Sequence, residues 1–286
     1  MERKRRGGSS SREIFNPPLP FSSMEFAEAK ERGKITIVGI PYEGILSGLP
    51  GMREGPHFVR KASYLLESYV PGLDVDLRDV PFADMGNVEL FGSPEKVSEE
   101  VSEVIAGIEY PAVLGGDHTV TIGVVKDLIR RYGRLNVLYF DAHWDLRSEY
   151  GESTHSHACT AARIAEMGAE ITFFGVRSGS REEWKAGENY ARFSATDAWP
   201  LTFSGPVYIT VDMDVFDPAY APGVGTPEPA GVLPVKFFNW LYELDANIVG
   251  FDVVETNPMV EDTITPVLAA RIVRDMIAKM WKGMKK

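Results

Sequence analysis

"LNVLYFDAHWD", residues 135–145, decides how this chain is read. An apolar run ends in Asp141, His143 and Asp145, at alternate positions. The run is continuously hydrophobic rather than alternating, which is how a strand covered on both faces looks. Five other runs read the same way: ITIVGIP (35–41), YPAVLGG (110–116), ITFFGVR (171–177), PVYITVDMDVF (206–216) and NIVGFDVVE (247–255). Helical patterns separate them, over 55–69, 93–108, 119–133, 233–245 and 265–284. The 93–108 segment opens with Ser93 as N-cap and Pro94 at the first helical position. Strand–helix alternation predicts a parallel sheet with right-handed crossovers. No linker or fixed-period repeat divides the chain after residue 35, so residues 35–286 read as a single α/β domain.

Composition narrows the function. Of the 286 residues 44% are hydrophobic, and the net charge of −11 argues against broad nucleic-acid binding, which needs a basic footprint. Cys159 is the one cysteine, so no internal disulfide is possible and a reducing, cytoplasmic location is expected. No apolar run reaches membrane-spanning length. The start, MERKRRGGSSSREIFNPPLPF (1–21), is basic and then Gly/Ser-rich, without the apolar stretch a signal peptide would need. Residues 1–34 are expected to be an arm, partly disordered or extended.

In open parallel sheets, ligands bind beyond the carboxyl ends of the strands. Four strands end in chemistry here. VLGGDHT carries Asp117 and His118; YFDAHWD carries Asp141, His143 and Asp145; ITVDMDVFDP carries Asp212 and Asp214; GFDVVETNP carries Asp252 and Glu255. Asp141, Asp212 and Asp214 are expected inside apolar strands, where a carboxylate is costly unless paired or bound to metal. If the strand continues, positions i, i+2 and i+4 share a face, which would align Asp141 with His143 and Asp145. A lone Asp-x-His is more often a salt-bridged or capping pair, and a lone Asp-x-Asp a turn. Their joint occurrence at successive strand ends points to metal. Four carboxylates and two imidazoles exceed what one zinc needs. They suit two divalent ions, with manganese or a similar borderline-hard metal favoured. Two such ions roughly 3.5–4 Å apart can ionise a shared water near neutral pH.

These segments resemble the ureohydrolase family of arginases and agmatinases. The family's three motifs are Gly-Gly-Asp-His, Asp-Ala-His-x-Asp and Asp-x-Asp with a following Asp-Pro. They match GGDH (115–118), DAHWD (141–145) and DMDVFDP (212–218), in the family's order. The resemblance implies a three-layer α/β/α sandwich around a mostly parallel eight-stranded sheet. It implies two Mn(II) ions per chain, one on His118, Asp141, Asp145 and Asp212, the other on His143, Asp141, Asp212 and Asp214. It also implies that His157, in THSHACT, shuttles a proton to the leaving amine, with His155 an exposed loop residue. Asp145 would aim the nucleophile, and Glu255, before Asn-Pro, would hold the substrate guanidinium. The products would be urea and a primary amine. A homo-oligomer, trimer or hexamer, is expected by resemblance alone.

PGVGTPEPAG (222–231) and DLRSEYGESTHSHAC (145–159) look agmatinase-like, which favours agmatine, giving putrescine. Aminopropylagmatine, guanidinobutyrate and arginine are the other guanidines in view. The loop SGLPG (47–51) departs from the Ser-Tyr-Arg-Pro-Gly common in agmatinases and lacks its arginine. Glu43 and Glu228 are equally readable as groups meeting a distal ammonium or as loop carboxylates. A one-zinc deacylase of the same fold class would not use the paired aspartates, and a metal binder without activity would not need His157 and Glu255.

Overall fold

The computed structural model describes residues 14–15, 20–22, 34–45 and 47–285. The arm expected over residues 1–34 lies outside them apart from 14–15, 20–22 and Lys34. In chain order the strands are β1 (Ile14–Phe15), β2 (Ile35–Ile40), β3 (Tyr69–Val70), β4 (Val75–Asp76), β5 (Phe82–Val88), β6 (Tyr110–Gly115), β7 (Asn136–Phe140), β8 (Glu170–Phe174), β9 (Ala191–Phe193), β10 (Thr202–Asp212) and β11 (Asp245–Val254). The helices are α1 (Gly55–Ser63), α2 (Pro94–Ile105), α3 (Val120–Tyr132), α4 (Thr160–Glu166), α5 (Arg181–Gly187), α6 (Pro234–Glu243) and α7 (Ile264–Met284).

Nine strands make the main sheet, in the order β1-β5-β2-β6-β11-β10-β7-β8-β9. Eight of them run parallel; only the two-residue β1 is antiparallel, at the edge. Pleating sends alternate side chains to opposite faces. On β7, Leu138 and Phe140 join one core while Val137 and Tyr139 join the other. The first core is closed by α1, α6 and α7 through residues such as Val59, Phe237 and Val273. The second is closed by α2, α3 and α4 through Val101, Val124 and Ile164. Burial of both faces explains why the strands read as unbroken apolar runs.

The sequence reading misses several elements. β5, FADMGNV, carries Asp84 and Asn87 and so has no apolar signature. Arg60 of α1, almost fully buried, satisfies both: Nε and Nη2 donate to the two Asp84 oxygens at 2.8 and 2.9 Å, and Nη1 donates to Asn87 Oδ1 at 2.6 Å. Short α4, α5, β3, β4 and β9 fall below the length at which periodicity is readable. The first helix, expected to run to residue 69, ends at Ser63, where Leu65 and Leu66 donate back three residues, to Ala62 and Ser63, and turn the chain toward β3.

Register decides where the chemistry lies. Phe140, the last residue of β7, pairs with Val211, and Asp212 pairs with Val254 at the end of β11. Val253 in turn pairs with Leu114 of β6. Four neighbouring strands therefore end level. The segments starting at Gly116, Asp141, Asp212 and Glu255 leave the sheet at one edge.

Candidate metal centre and active site

The strands end earlier than expected. Asp141 lies one residue past β7, Asp212 is the last residue of β10, and Asp214 sits in a single 3-10 turn, Met213–Val215. No strand face aligns Asp141, His143 and Asp145. A strand carried further would leave its backbone groups without a ladder partner, and the side chains gather through loop geometry instead. Asp145 has φ +50° and Glu255 φ +61°, left-handed conformations that cost a non-glycine residue ~1–3 kcal/mol. Surrounding contacts hold them there. Trp144, buried against Phe173 and Trp184, pins the loop before Asp145, and the Asp145 carbonyl accepts from Ala162 N at 3.1 Å. Glu255 N donates to the Gly116 carbonyl at 2.8 Å.

All six expected ligands converge. One oxygen of most carboxylates is tied down by an N–H, which aims the other inward. Asp141 Oδ1 accepts from His143 N at 2.5 Å, Asp212 Oδ1 from Asp214 N at 2.9 Å, and Asp214 Oδ1 from Ala142 N at 3.0 Å. The inward atoms meet the imidazoles. His118 Nδ1 lies 3.1 Å from Asp141 Oδ2, 3.3 Å from Asp212 Oδ2 and 3.4 Å from Asp145 Oδ2. His143 Nδ1 lies 2.9 Å from Asp214 Oδ2. Two sets, His118 with Asp141 and Asp145, and Asp141 with His143 and Asp214, each bring ligand atoms within 4.8 Å of one another.

The tautomer of His118 shows what belongs there. The Thr210 hydroxyl donates to Asp252 Oδ1 at 2.5 Å, so toward His118 Nε2, 2.9 Å away, it acts as acceptor. A proton therefore sits on Nε2, and a neutral His118 would turn a lone pair on Nδ1 toward three carboxylate oxygens. Lone pairs facing lone pairs in a buried pocket call for a cation. Asp141 Oδ2 is buried and makes no hydrogen bond. An oxygen-rich set with two imidazoles fits a borderline-hard divalent ion.

Without such an ion, the ionisation of these groups is strongly displaced. Burial, then Asp145 and Asp214, push Asp141 up to about 6, against His118 and His143. Asp212 is raised well above the usual carboxylate range by burial, Asp214 and Asp141. Burial would also raise Asp214, but the His143 imidazole outweighs it and holds this carboxyl at about 2. Burial disfavours charge on His118, yet Asp141, Asp145 and Asp212 together raise it well above 6.5.

A cavity of about 500 Å³ opens onto this cluster, lined among others by His118, Asp145, His157 and Glu255. Glu255 is buried, and its Oε1 accepts from His118 N at 2.8 Å. Burial and Asp117 raise it well above the ordinary glutamate value. His157 is half-buried in the wall, its Nε2 2.7 Å from Ser47 Oγ and its ring edge-on to Tyr150. His155 instead faces Thr154 Oγ1 at 2.9 Å and Glu95 at 4.0 Å. Glu43 is a loop carboxylate: Oε1 accepts from Gly51 N and Met52 N. Glu228 accepts from Ser178 Oγ at 2.7 Å and comes within 3.9 Å of His143 Nε2.

Several contributors escape the sequence reading. Tyr139 donates to Asp145 Oδ2 at 2.8 Å and stacks on His118. Thr226 donates to Asp214 Oδ2 at 3.2 Å. Glu183 and Arg147, whose Nε and Oε2 atoms are 3.3 Å apart, line the cavity. Glu183 alone had a local signal, the Ser-x-x-Glu capping box at 180–183 that starts α5.

Comparison with known proteins agrees with this geometry. The arginase family model matches residues 33–278. An agmatinase of Bacillus cereus is 34% identical over 266 residues, covering 86% of this chain and 92% of the relative. An N(1)-aminopropylagmatine ureohydrolase of Thermococcus kodakarensis is 34% identical over 272 residues, covering 88% and 92%. The crystal structure of agmatine ureohydrolase of Thermoplasma volcanium superposes with TM-score 0.82 at 34% identity, covering 93% of this chain and 97% of that one. The eight-stranded parallel sheet between two helical layers, the strand-end motifs and this likeness over most of the length agree: the chain belongs to the arginase family, as an agmatinase-like ureohydrolase.

Proposed function

We propose that the protein hydrolyses agmatine to putrescine and urea with two Mn(II) ions held by His118, Asp141, His143, Asp145, Asp212 and Asp214. The observation that carries this reading is the convergence of four carboxylates and two imidazoles on the cavity floor, a set that in its ligating, ionised form would carry uncompensated charge. Four ligand carboxylates meet two imidazoles, so even two imidazolium ions would leave a net charge of −2 before Glu255 is counted. Two divalent cations balance the four carboxylates with both imidazoles neutral and free to ligate. Glu255 then remains as the partner for a cationic substrate.

Bound there, the cations supply Lewis acidity and make water a nucleophile near neutral pH. The chain's own residues do the rest. Glu255, one oxygen tethered by His118 N–H, turns its other oxygen to the guanidinium and fixes the plane of attack. Burial disfavours the bare Glu255 anion, and a bound guanidinium favours it. Asp145, held by Tyr139, would accept a hydrogen bond from the nucleophile and aim its lone pair at the guanidinium carbon, the proton lost when that water ionises passing to solvent. Attack yields a tetrahedral carbon, which collapses to urea once the leaving nitrogen is protonated. His157, half-buried at the cavity wall, donates that proton and recovers one from solvent. The agmatinase-like segments at 145–159 and 222–231 favour agmatine among guanidines.

The test is urea release from agmatine, aminopropylagmatine, guanidinobutyrate and arginine by manganese-loaded protein. Agmatine should be turned over with the highest kcat/KM. No urea from any of the four, with metal bound, would sink the reading.

A further inference from the structure

Arg177 has an unusual set of partners. It follows β8 by three residues and is half-buried. A buried or half-buried guanidinium ordinarily meets a carboxylate, because unpaired charge is costly to desolvate. Among the described residues, no carboxylate oxygen lies within salt-bridge reach of Arg177. All its donors go to backbone carbonyls. Nη2 donates to Asp214 O at 2.7 Å, Glu228 O at 2.6 Å and Phe216 O at 3.4 Å. Nη1 donates to Gly175 O at 3.0 Å and Val215 O at 3.2 Å, and Nε donates to Pro229 O at 3.0 Å.

These carbonyls identify what the side chain joins. Three belong to the turn that presents Asp214. Two belong to the loop that carries Thr226, which donates to Asp214, and Glu228, which faces His143. The backbone closes the circle: Arg177 N donates to Ala142 O at 2.8 Å, and Ala142 N donates to Asp214 Oδ1 at 3.0 Å. Ala142 lies between Asp141 and His143. Apart from the local bond to Gly175 O, every bond of Arg177 reaches the Asp214 turn, the Ala142 segment between Asp141 and His143, or the loop that supports them, and none reaches His118 or Asp145. Its charge is permanent, and it is not among the residues that line the cavity.

We propose that Arg177 is a positioning residue that builds one half of the metal centre, holding the Asp214 turn against the His143 loop. This rests on the two-ion reading above. Lysine is a point donor with three hydrogens and cannot span three segments, so Arg177→Lys keeps the charge and loses the span. The ion held by His143 and Asp214 should bind ~10–100-fold more weakly, the size typical of a lost supporting partner, while the ion at His118 is kept.

Manganese titration by calorimetry, with electron paramagnetic resonance of the loaded protein, separates the outcomes. Wild type should take two ions and show the spectrum of a coupled pair. Arg177→Lys should take one tightly and show isolated Mn(II). Arg177→Gln, which drops the charge as well, should show the same selective loss, and either variant suffices should the other not fold. Arg131→Lys is the control, because Arg131 also binds the backbone carbonyls of Ile105, Ile108 and Glu109, together with Asp127, at the far end of α3. It should keep both ions. Two ions of unchanged affinity in both Arg177 variants, or parallel weakening of both ions, would overturn the assignment. A wild-type protein that takes only one ion would instead overturn the two-ion reading itself.

Discussion

Thr210→Val isolates a single atom of the metal centre. Valine matches threonine in shape, so the substitution opens no cavity between the strands. It removes the hydroxyl that accepts from His118 Nε2 and donates to Asp252. Two consequences follow. The Nε2–H is left buried without an acceptor, because the His118 side chain has no exposed surface, which costs the fold ~1–3 kcal/mol. The tautomer with its proton on Nδ1 also becomes competitive, since that proton can be shared with Asp141 or Asp212. In that tautomer the nitrogen aimed at the cluster is no longer a ligand. Losing the partner that orients a ligating histidine typically weakens metal affinity by ~10–100-fold, or about 1.4–2.7 kcal/mol. Asp252 Oδ2 keeps Tyr208 at 2.5 Å and Thr121 at 2.8 Å, but Oδ1 loses the Thr210 hydroxyl, so the metal-free melt reports on both Asp252 and His118 while metal affinity reports on His118. The assay is manganese binding by calorimetry, with thermal melts of metal-free protein alongside. Thr210→Ser should restore affinity by restoring the hydroxyl. Wild-type affinity in Thr210→Val would refute the tautomer argument, and with it the claim that Nδ1 faces the ions as a lone pair.

Three further outcomes are expected. Glu255→Gln keeps the shape and one acceptor but loses the charge-assisted bond, so kcat/KM for agmatine should fall ~10–150-fold, the equivalent of ~1.5–3 kcal/mol, with metal content unchanged; steady-state kinetics within twofold of wild type would remove Glu255 from substrate binding. His157→Ala should lower kcat ~10²–10⁴-fold, as loss of a positioned acid–base group does, whereas His155→Ala, two residues away, should turn over near the wild-type rate; equal losses would contradict the division of roles. In metal-free protein, Asp141 holds its proton up to about 6 against an ordinary 3.8, so the folded chain binds a proton that the unfolded chain releases. This group's contribution to stability therefore falls as pH rises through that window. Metal-free Asp141→Asn should gain in melting temperature relative to wild type from pH 4 to 7, and a constant difference across that range would show that Asp141 is not so displaced.

What the sequence by itself determined is local and periodic. Unbroken apolar runs at 35–40, 110–115, 136–140 and 206–212 mark strands because both faces of the sheet are covered, and their alternation with helices requires parallel order. GGDH, DAHWD and DMD are legible because each is a short contiguous run whose residue types already specify ligand chemistry. β5 stayed hidden because its Asp84 and Asn87 are satisfied by Arg60, more than twenty residues away. Only the tertiary structure decided how the ligands converge. β7 stops before Asp141 and β10 at Asp212, and left-handed turns at Asp145 and Glu255 aim those carboxylates, so strand alternation does not align Asp141, His143 and Asp145. The bonds from His118 to Thr210, from Thr210 to Asp252 and from Arg177 to Asp214 join residues 92, 42 and 37 positions apart. A hydroxyl in a strand and an arginine after one carry no sign of their partners until register brings four strand ends level. Hydrophobic periodicity reports which face of an element is buried, and the identity of the buried partner is a property of the fold.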